Sequence, residues 1–439
     1  MLKTLVGAFK NKDIRKKILY TLMILVIVRV GSLLPIPGVD TEYFSSLLSG
    51  INTGDLSYLS AFTGGSFERM SLFALSITPY ITSSIIMQLL AIAIPKLEEM
   101  QKEGEDGRKK IAAITRYVTI ALALIESIAM AVGFGRSGLI KGYQGFSTLH
   151  YIVSIIVVVA ALTAGSAMLM WLGERITENG VGNGISIVLL INIISGMPSD
   201  FATFYSTFVA PRTIAKGVLA AAIIIAILVV MVVLVCFLQD GERRIPVQYS
   251  QKVSGRKTFG GQSTNIPLKV NTAGVMPVIF ASSLMQFPVI IAQLFGKSYE
   301  WTRYLSSSYW CRISAPKYSI GLILYIVLLI IFAYFYTSIT FNPIEVADNL
   351  KKAGGVIPGI TPGKSTSDYL NNILNYIVFV GAVGLLIIAL IPIMCTGFFN
   401  ASVSFGGTSV IIIVGVVLET LKQIESQMVN RYYKGFLSE

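Results

Sequence analysis

The 439-residue sequence contains little charge and few of the residues on which most catalysis depends. Charged residues make up 13% of it, about half of the roughly 25% usual in soluble domains, which argues against a soluble fold. It has one histidine, and its cysteines, Cys236, Cys311 and Cys395, are too scattered for a disulfide framework or a metal site. The glycine-rich stretch GERITENGVGNGIS lacks the Lys-Ser/Thr pair and preceding strand of a phosphate-binding loop. We therefore expect neither an enzyme nor a bound cofactor.

Long apolar stretches dominate what is present. Hydrophobic residues make up 54% of the chain, and most of its ten apolar segments approach the roughly 20 residues that a helix needs to cross a bilayer. These predicted spans are residues 18–34, 72–94, 117–134, 149–172, 184–197, 218–238, 273–295, 320–341, 372–393 and 409–421. The sequence therefore predicts an all-α membrane protein with ten transmembrane helices.

The distribution of Lys and Arg predicts the orientation. With a cytoplasmic N-terminus, 25 of the 35 Lys and Arg lie in cytoplasmic segments and nine in outer loops, which satisfies the positive-inside rule. Both termini, residues 1–17 and 422–439, are then cytoplasmic. Ten spans also divide into halves of five, residues 18–208 and 209–421. Because five is odd, the second half enters the membrane from the opposite side, and parity alone thus favours an inverted repeat.

The segment before the second span is too short to cross and too apolar for a solvated loop. Residues 52–70 place Leu56, Leu59 and Phe62 at near-helical spacing and then break at Gly64 and Gly65. Two interpretations fit equally well. The segment is either a re-entrant helix surrounded by protein or water, or an interfacial helix lying flat on the outer leaflet.

Two charged residues lie well inside predicted spans. We expect Arg29 to extend its side chain outward from the first span. Glu126, midway along the third span, would cost about 2.5–3.5 kcal/mol if it faced lipid, and we therefore expect it to face the protein interior.

Two long loops on the predicted cytoplasmic side are basic. Residues 239–271 and 342–370 carry nine Lys and Arg together with many turn residues. One interpretation is that they only set topology and attract anionic lipid. The other, at least as well supported by their length, is a docking surface for a large partner that could contain RNA.

Seven blocks of sequence carry a family resemblance that runs almost end to end. The chain resembles the SecY family, whose members are the central subunits of bacterial protein-translocation channels. The matching blocks are LLPIPGVD (33–40), LFALSITPYITSSIIMQLL (72–90), EGEDGRKKIAAITRY (103–117), MLMWLGERITENGVGNGISI (168–187), QSTNIPLKVNTAGVMPVIFASS (262–283), FNPIEVADNLKKAGGVIPGITPG (341–363) and FGGTSVIIIVGV (405–416).

The resemblance implies two inverted five-helix halves around an hourglass pore. It implies a protein-conducting channel that moves unfolded secretory polypeptides across the cytoplasmic membrane and releases membrane helices sideways into the lipid. The family's pore ring corresponds here to Ile77, Ile81, Leu189, Ile279 and Ile412. Its plug helix corresponds to residues 55–66 and so favours the re-entrant interpretation. Its lateral gate lies between spans two and three and spans seven and eight, which here contain Thr82, Gln88, Glu126 and Phe287.

The resemblance also implies partners. These are SecE and SecG in a heterotrimer, the SecA ATPase, the ribosome, signal peptides and nascent chains, with SecDF, YidC and membrane lipids as further candidates. Arg243 and Arg244 correspond to the docking tip of the family. The basic loops add Lys252, Arg256, Lys257, Lys351, Lys352 and Lys364. One position departs from the family, which usually has Arg where this chain has Thr361, and Lys364 can supply a charge nearby.

Topology alone leaves two other classes open. A secondary transporter with a five-plus-five inverted repeat would need several ionisable or backbone sites near mid-membrane. An insertase or scaffold without a pore would not need the ring and plug.

Overall fold

A computed structural model describes residues 7, 9–50, 63–135, 148–206, 210, 214–249, 252–254, 257–259, 263–294, 300–306, 309–311, 316–399 and 407–436. The α-helices are α1 (Lys12–Leu33), α2 (Thr41–Gly50), α3 (Thr78–Ala93), α4 (Pro95–Lys102), α5 (Glu105–Phe134), α6 (Thr148–Asn179), α7 (Gly184–Phe204), α8 (Ile214–Asp240), α9 (Met276–Leu294), α10 (Glu300–Leu305), α11 (Ile320–Thr340), α12 (Pro343–Lys352), α13 (Lys364–Phe399) and α14 (Gly407–Phe436). The strands are β1 (Glu242–Tyr249), β2 (Lys252–Ser254), β3 (Lys257–Phe259), β4 (Ser263–Lys269) and β5 (Gly355–Val356).

Helices lie in all ten predicted spans, and the membrane part of the chain is helical as predicted. Among the described residues, five helices are long and apolar enough to cross a membrane, and a bent pair makes a sixth. Helices α7 and α9 contain shorter apolar stretches, Gly184–Ser199 and Met276–Met285. Asparagine side chains cap the starts of α1, α7 and α12: Asn183, for example, accepts hydrogen bonds from the backbone N–H groups of Ile185 and Ser186.

The second span differs from its predicted bounds. Residues 64–77 form turns, and α3 begins only at Thr78, with Pro79 in its first turn, where a proline replaces an N–H that has no helical partner. At the other end the chain bends by 106° between α3 and α4. Pro95 begins α4, so the break again coincides with a proline.

The helices form two packed sets. In the N-terminal set, α5 packs against α3 and α6, and α6 packs against α1 and α7. In the C-terminal set, α11 packs against α9 and α13, and α14 packs against α8 and α13. The sets contact each other through α5 with α9 and through α7 with α14. The division into halves at residues 18–208 and 209–421, and the inverted relation between them, remain predictions.

The two long basic loops fold together, which the sequence analysis did not predict. Strand β1 pairs antiparallel with β4, and the C-terminal end of β1 pairs antiparallel with β5 of the other loop. We call β4, β1 and β5 the loop sheet. Ile245 and Val247 of β1 are buried, with exposed residues on either side of each, so one face of the strand is apolar. That face packs against residues of the second loop and of α13, namely Leu350, Ile357, Leu370 and Ile373.

Candidate functional site

Five aliphatic side chains pack together where the two helix sets meet. They are Ile77, Ile81, Leu189, Ile279 and Ile412, which belong to one apolar cluster and which we call the aliphatic constriction because they are the residues matched to the family's pore ring. They come from the start of α3, from α7, α9 and α14, so both sets contribute. The side chains other than Ile81 are at most 5% exposed. Branched aliphatic side chains offer no ligand to ions or water, so a narrow opening between them resists hydration.

A cavity of about 420 Å³ adjoins the constriction. Ile81, Leu189, Ile279 and Ile412 line one part of it. The remainder of its lining is mixed. It combines the apolar Ile185, Val275, Met276 and Val416 with polar or charged residues, which include Tyr80, Ser84, Gln88, Arg116, Glu174, Thr177, Glu178, Asn183 and Ser186. Most of these residues lie at the ends of α5, α6 and α7 that adjoin the predicted cytoplasmic loops. We call this cavity the vestibule: its lining mixes polar and apolar side chains, and the aliphatic constriction lies at one side of it.

An ion pair ties two helices together at the vestibule. Arg116 Nε of α5 donates a hydrogen bond of 2.7 Å to Glu174 Oε1 near the end of α6. This bond raises the pKa of Arg116, which lies just before the predicted third span. Glu178 is paired with Arg175 at 2.7 Å, and the Arg175 guanidinium lies 5.6 Å from the centre of the Trp171 ring. Sequence reasoning missed these pairs, because nothing in the local pattern links residue 116 to residue 174.

Beyond the constriction, only part of the predicted plug is described. Leu56, Leu59 and Phe62 lie outside the described residues. Gly64 and Gly65 follow in a turn with φ of 61° and 79°, the left-handed conformation that glycine adopts most readily. Arg29 Nη1 donates a hydrogen bond of 2.8 Å to Ser195 Oγ, near the end of α7 that adjoins the predicted outer loop, and its outward extension stays a prediction.

The helices that carry the predicted lateral gate lie side by side. Helix α3 packs on α5, α9 packs on α11, and α5 touches α9, so the two pairs share one seam. Thr82 Oγ1 donates to Thr78 O within α3, and Gln88 Nε2 donates to Ser84 Oγ at 3.4 Å. Glu126 is half-buried on α5, and its interior orientation stays a prediction. Phe287 lies on α9, and the structure describes only its backbone.

The predicted docking residues lie on or beside the loop sheet. Arg243 and Arg244 are exposed on β1, and Arg244 Nε donates to Glu242 Oε1 at 2.8 Å. Lys252 and Lys257 lie on the β2–β3 hairpin, and Arg256 lies outside the described residues. The second loop contributes exposed residues at the end of α12, in the following turn and at the start of α13, namely Lys351, Lys352, Thr361 and Lys364.

Comparisons with known proteins agree with this architecture. The sequence profile of the SecY family matches residues 71–421. The chain is 44% identical to the protein translocase subunit SecY of Streptomyces galbus and 42% identical to that of Halalkalibacterium halodurans, each over the full length of both chains. Its fold is similar to a structure described as a protein conducting channel, with a TM-score of 0.64, 18% identity, and 94% and 93% of the two chains covered. It is also similar to Sec61 in the canine ribosome-channel complex from the endoplasmic reticulum, with a TM-score of 0.62, 18% identity and the same coverage. The chain therefore belongs to the SecY family of protein translocase subunits.

Proposed function

We propose that this chain is the channel-forming subunit of a protein translocase in the bacterial cytoplasmic membrane. In this proposal it passes unfolded secretory polypeptides across the membrane and releases membrane helices into the lipid. The observation that carries the proposal is the aliphatic constriction, contributed by both helix sets and adjoining a vestibule of mixed lining. Such a vestibule can contact both polar and apolar side chains of a polypeptide, and the constriction would resist ion flow while the channel is idle.

The constriction is proposed to work as an adaptable seal. Its side chains come from elements of both helix sets, so a relative movement of the sets changes its diameter without unfolding either set. Ile81 is only partly buried and lines the vestibule, so it is the member of the constriction that an entering polypeptide would meet early. The predicted plug, residues 55–66, would add a second closure on the outer side.

The seam between α5 and α9 is the proposed lateral gate. A signal helix that binds between these helices would favour the open arrangement, which is a population shift between two packings of one bundle. Thr82, Gln88, Glu126 and Phe287 are the proposed gate residues. Gln88 also lines the vestibule, so it could contact a chain that moves from the vestibule towards the seam.

The loop sheet is the proposed docking surface for the partner that drives transport. The positive-inside bias supports cytoplasmic termini and a cytoplasmic loop sheet. Exposed arginines on β1 and lysines at the end of α12 suit an acidic protein surface or ribosomal RNA. We propose SecA and the ribosome as these partners, SecE and SecG as companion subunits, and SecDF and YidC as further associates. The relative in the canine complex is itself described as a ribosome-bound channel.

Reconstitution tests the proposal. The chain is purified from its native membrane with any copurifying small membrane proteins and is placed in lipid vesicles with SecA, ATP and an unfolded preprotein. We expect preprotein to become protected from added protease, and we expect protection to require the signal sequence. Vesicles without the chain, and a preprotein without its signal, are the controls. Equal protection with and without the chain would refute the proposal.

A further inference from the structure

A strained segment lies directly next to the constriction. Residues 64–77 form turns, interrupted by one β-bridge at Ser71, although most of their side chains are buried, and Met70 and Ser76 have positive φ values of 42° and 52°. Such conformations cost of order 1–3 kcal/mol for residues other than glycine and persist only where surrounding contacts hold them. The segment ends at Ile77 of the constriction. The contacts that hold it therefore also hold one side of the constriction.

Helix α7 supplies those contacts through two polar side chains. Asn192 Nδ2 donates a hydrogen bond of 3.1 Å to Ser76 Oγ, and Asn192 is 2% exposed. Ser195 Oγ donates to Asn192 O at 2.7 Å, lies 3.5 Å from Gly64 O, and accepts the hydrogen bond from Arg29. One helix face thus holds both ends of the strained segment.

The fit at Gly64 is close. A Cβ atom built on Gly64 would lie 2.5 Å from Ser195 Oγ and 2.6 Å from Asn192 O. The neighbouring Gly65 has open space at the same position, because nothing lies within 4 Å of its built Cβ. The backbone therefore packs directly against α7 at Gly64 and not at Gly65.

These contacts are coupled to the constriction by their positions in the chain. Asn192 follows Leu189 by three residues on α7, so the two side chains share a helix face. Ser76 directly precedes Ile77. A movement of α7 that separates Leu189 from Ile77 must also stretch the hydrogen bond between Asn192 and Ser76.

We propose that Arg29, Asn192 and Ser195 form a latch that holds residues 63–77 against α7 and thereby keeps the constriction closed. The inference rests on the proposed channel function and adds its regulation. Two features of the closed arrangement favour release of the latch. Asn192 Oδ1 is buried without a hydrogen-bond partner in the described part of the chain, and would gain water in an open pore. Release also relaxes the strained backbone at Ser76.

A disulfide between residue 64 and residue 195 of α7 tests the latch. The native cysteines are first replaced by serine, and then Gly64→Cys is combined with Ser195→Cys in the assembled complex in vesicles. Oxidation should join the two positions and block translocation, and a reductant should restore translocation. The pair Gly65→Cys with Ser195→Cys is the matched control and should neither crosslink efficiently nor block. Translocation at the normal rate through the oxidised, crosslinked Gly64 pair would overturn the latch.

A second measurement does not depend on cysteine at Gly64. Ser195→Ala and Asn192→Ala should each raise resting ion conductance by about fivefold or more, as expected for the loss of one hydrogen bond that favours the closed state. Ser154→Ala removes a hydroxyl of α6 that donates to its own helix at His150 O, and should leave conductance unchanged. Unchanged conductance in both latch variants would also overturn the latch. Conductance needs no motor partner, so these results stay separate from those that test translocation itself.

Discussion

Gln248 of β1 pairs with Val356 of β5, and this short antiparallel ladder joins the two basic loops into one sheet. Gln248 and Val356 lie more than 100 positions apart in the sequence, and α9 and α11 lie between the two loops. Because they share a sheet and an apolar core, their positive charges belong to one surface. Damage to either loop should therefore affect partner binding by both.

The first prediction concerns the seal. Replacing Ile81 and Ile412 together by Asn should raise resting ion conductance roughly tenfold or more, because a dry constriction then leaves amides unpaired at about 1–3 kcal/mol each. Single-channel or vesicle-flux recordings provide the measurement. Replacing both residues by Val keeps the constriction aliphatic and should raise conductance much less. If the Asn variant conducts no more than the unmodified chain, these residues do not form the seal.

The second prediction separates docking from topology. Arg244→Glu removes one of the six Lys and Arg of residues 239–271 and also breaks the pair with Glu242. The loop should stay cytoplasmic, because Lys and Arg excess sets orientation and acidic residues contribute little. Binding of SecA or the ribosome should weaken and become slower, because like charges repel the incoming partner.

Lys16→Glu makes the same charge change at an exposed N-terminal position away from the loop sheet and is the control. Binding assays at physiological salt, together with protease accessibility of the loop, separate the two roles. Normal binding by the Arg244 variant, or a loop that becomes accessible from outside, would contradict the docking assignment.

The third prediction concerns the core of the loop sheet. Ile245 is 2% exposed and packs among residues of both loops. Ile245→Ala should destabilise the sheet by about 2–5 kcal/mol, the usual cost of such a cavity. Hydrogen exchange should then increase in residues 343–356 as well as in β1. Gln248→Ala truncates an exposed side chain of the same strand and should change little, and exchange confined to β1 would show that the loops are not coupled.

The fourth prediction concerns helix packing at a glycine. A Cβ on Gly165 of α6 would overlap the backbone oxygen of Leu72, whereas Gly196 of α7 has open space around its built Cβ. Gly165→Ala should lower the melting temperature of the purified complex. Gly196→Ala should leave it unchanged or raise it, since alanine favours a helix by up to about 1 kcal/mol. Equal melting temperatures for the two variants would mean that α6 does not pack on residue 72 this closely.

Features that depend on local composition were predictable from the sequence. A helix lies in each predicted span, because apolar runs of bilayer length have few other ways to satisfy their backbone. The residues of the constriction could not be predicted from local composition. Their identification came from the family resemblance, and nothing in the spacing of Ile81 and Ile412 indicates that they meet.

The features that were missed depend on contacts between distant residues. The loop sheet was not predicted, because two apolar residues, Ile245 and Val247, do not make a clear alternating pattern among charged neighbours. The late start of α3 was not predicted, because residues 72–77 are as apolar as the helix that follows them. Its turns depend on contacts with other elements, including the hydrogen bond from Asn192 to Ser76. No local pattern in the sequence reports such a contact.

The ladder between Gln248 and Val356 also has a consequence for biosynthesis. The edge of β1 that receives β5 stays open while α9, α11 and α12 are still being made, because the strand that covers it comes later in the chain. An exposed strand edge invites pairing with other chains. While about 100 further residues are synthesised, the nascent chain therefore has an incomplete sheet with an exposed strand edge. A factor that binds the nascent chain at this stage would have to shield that edge.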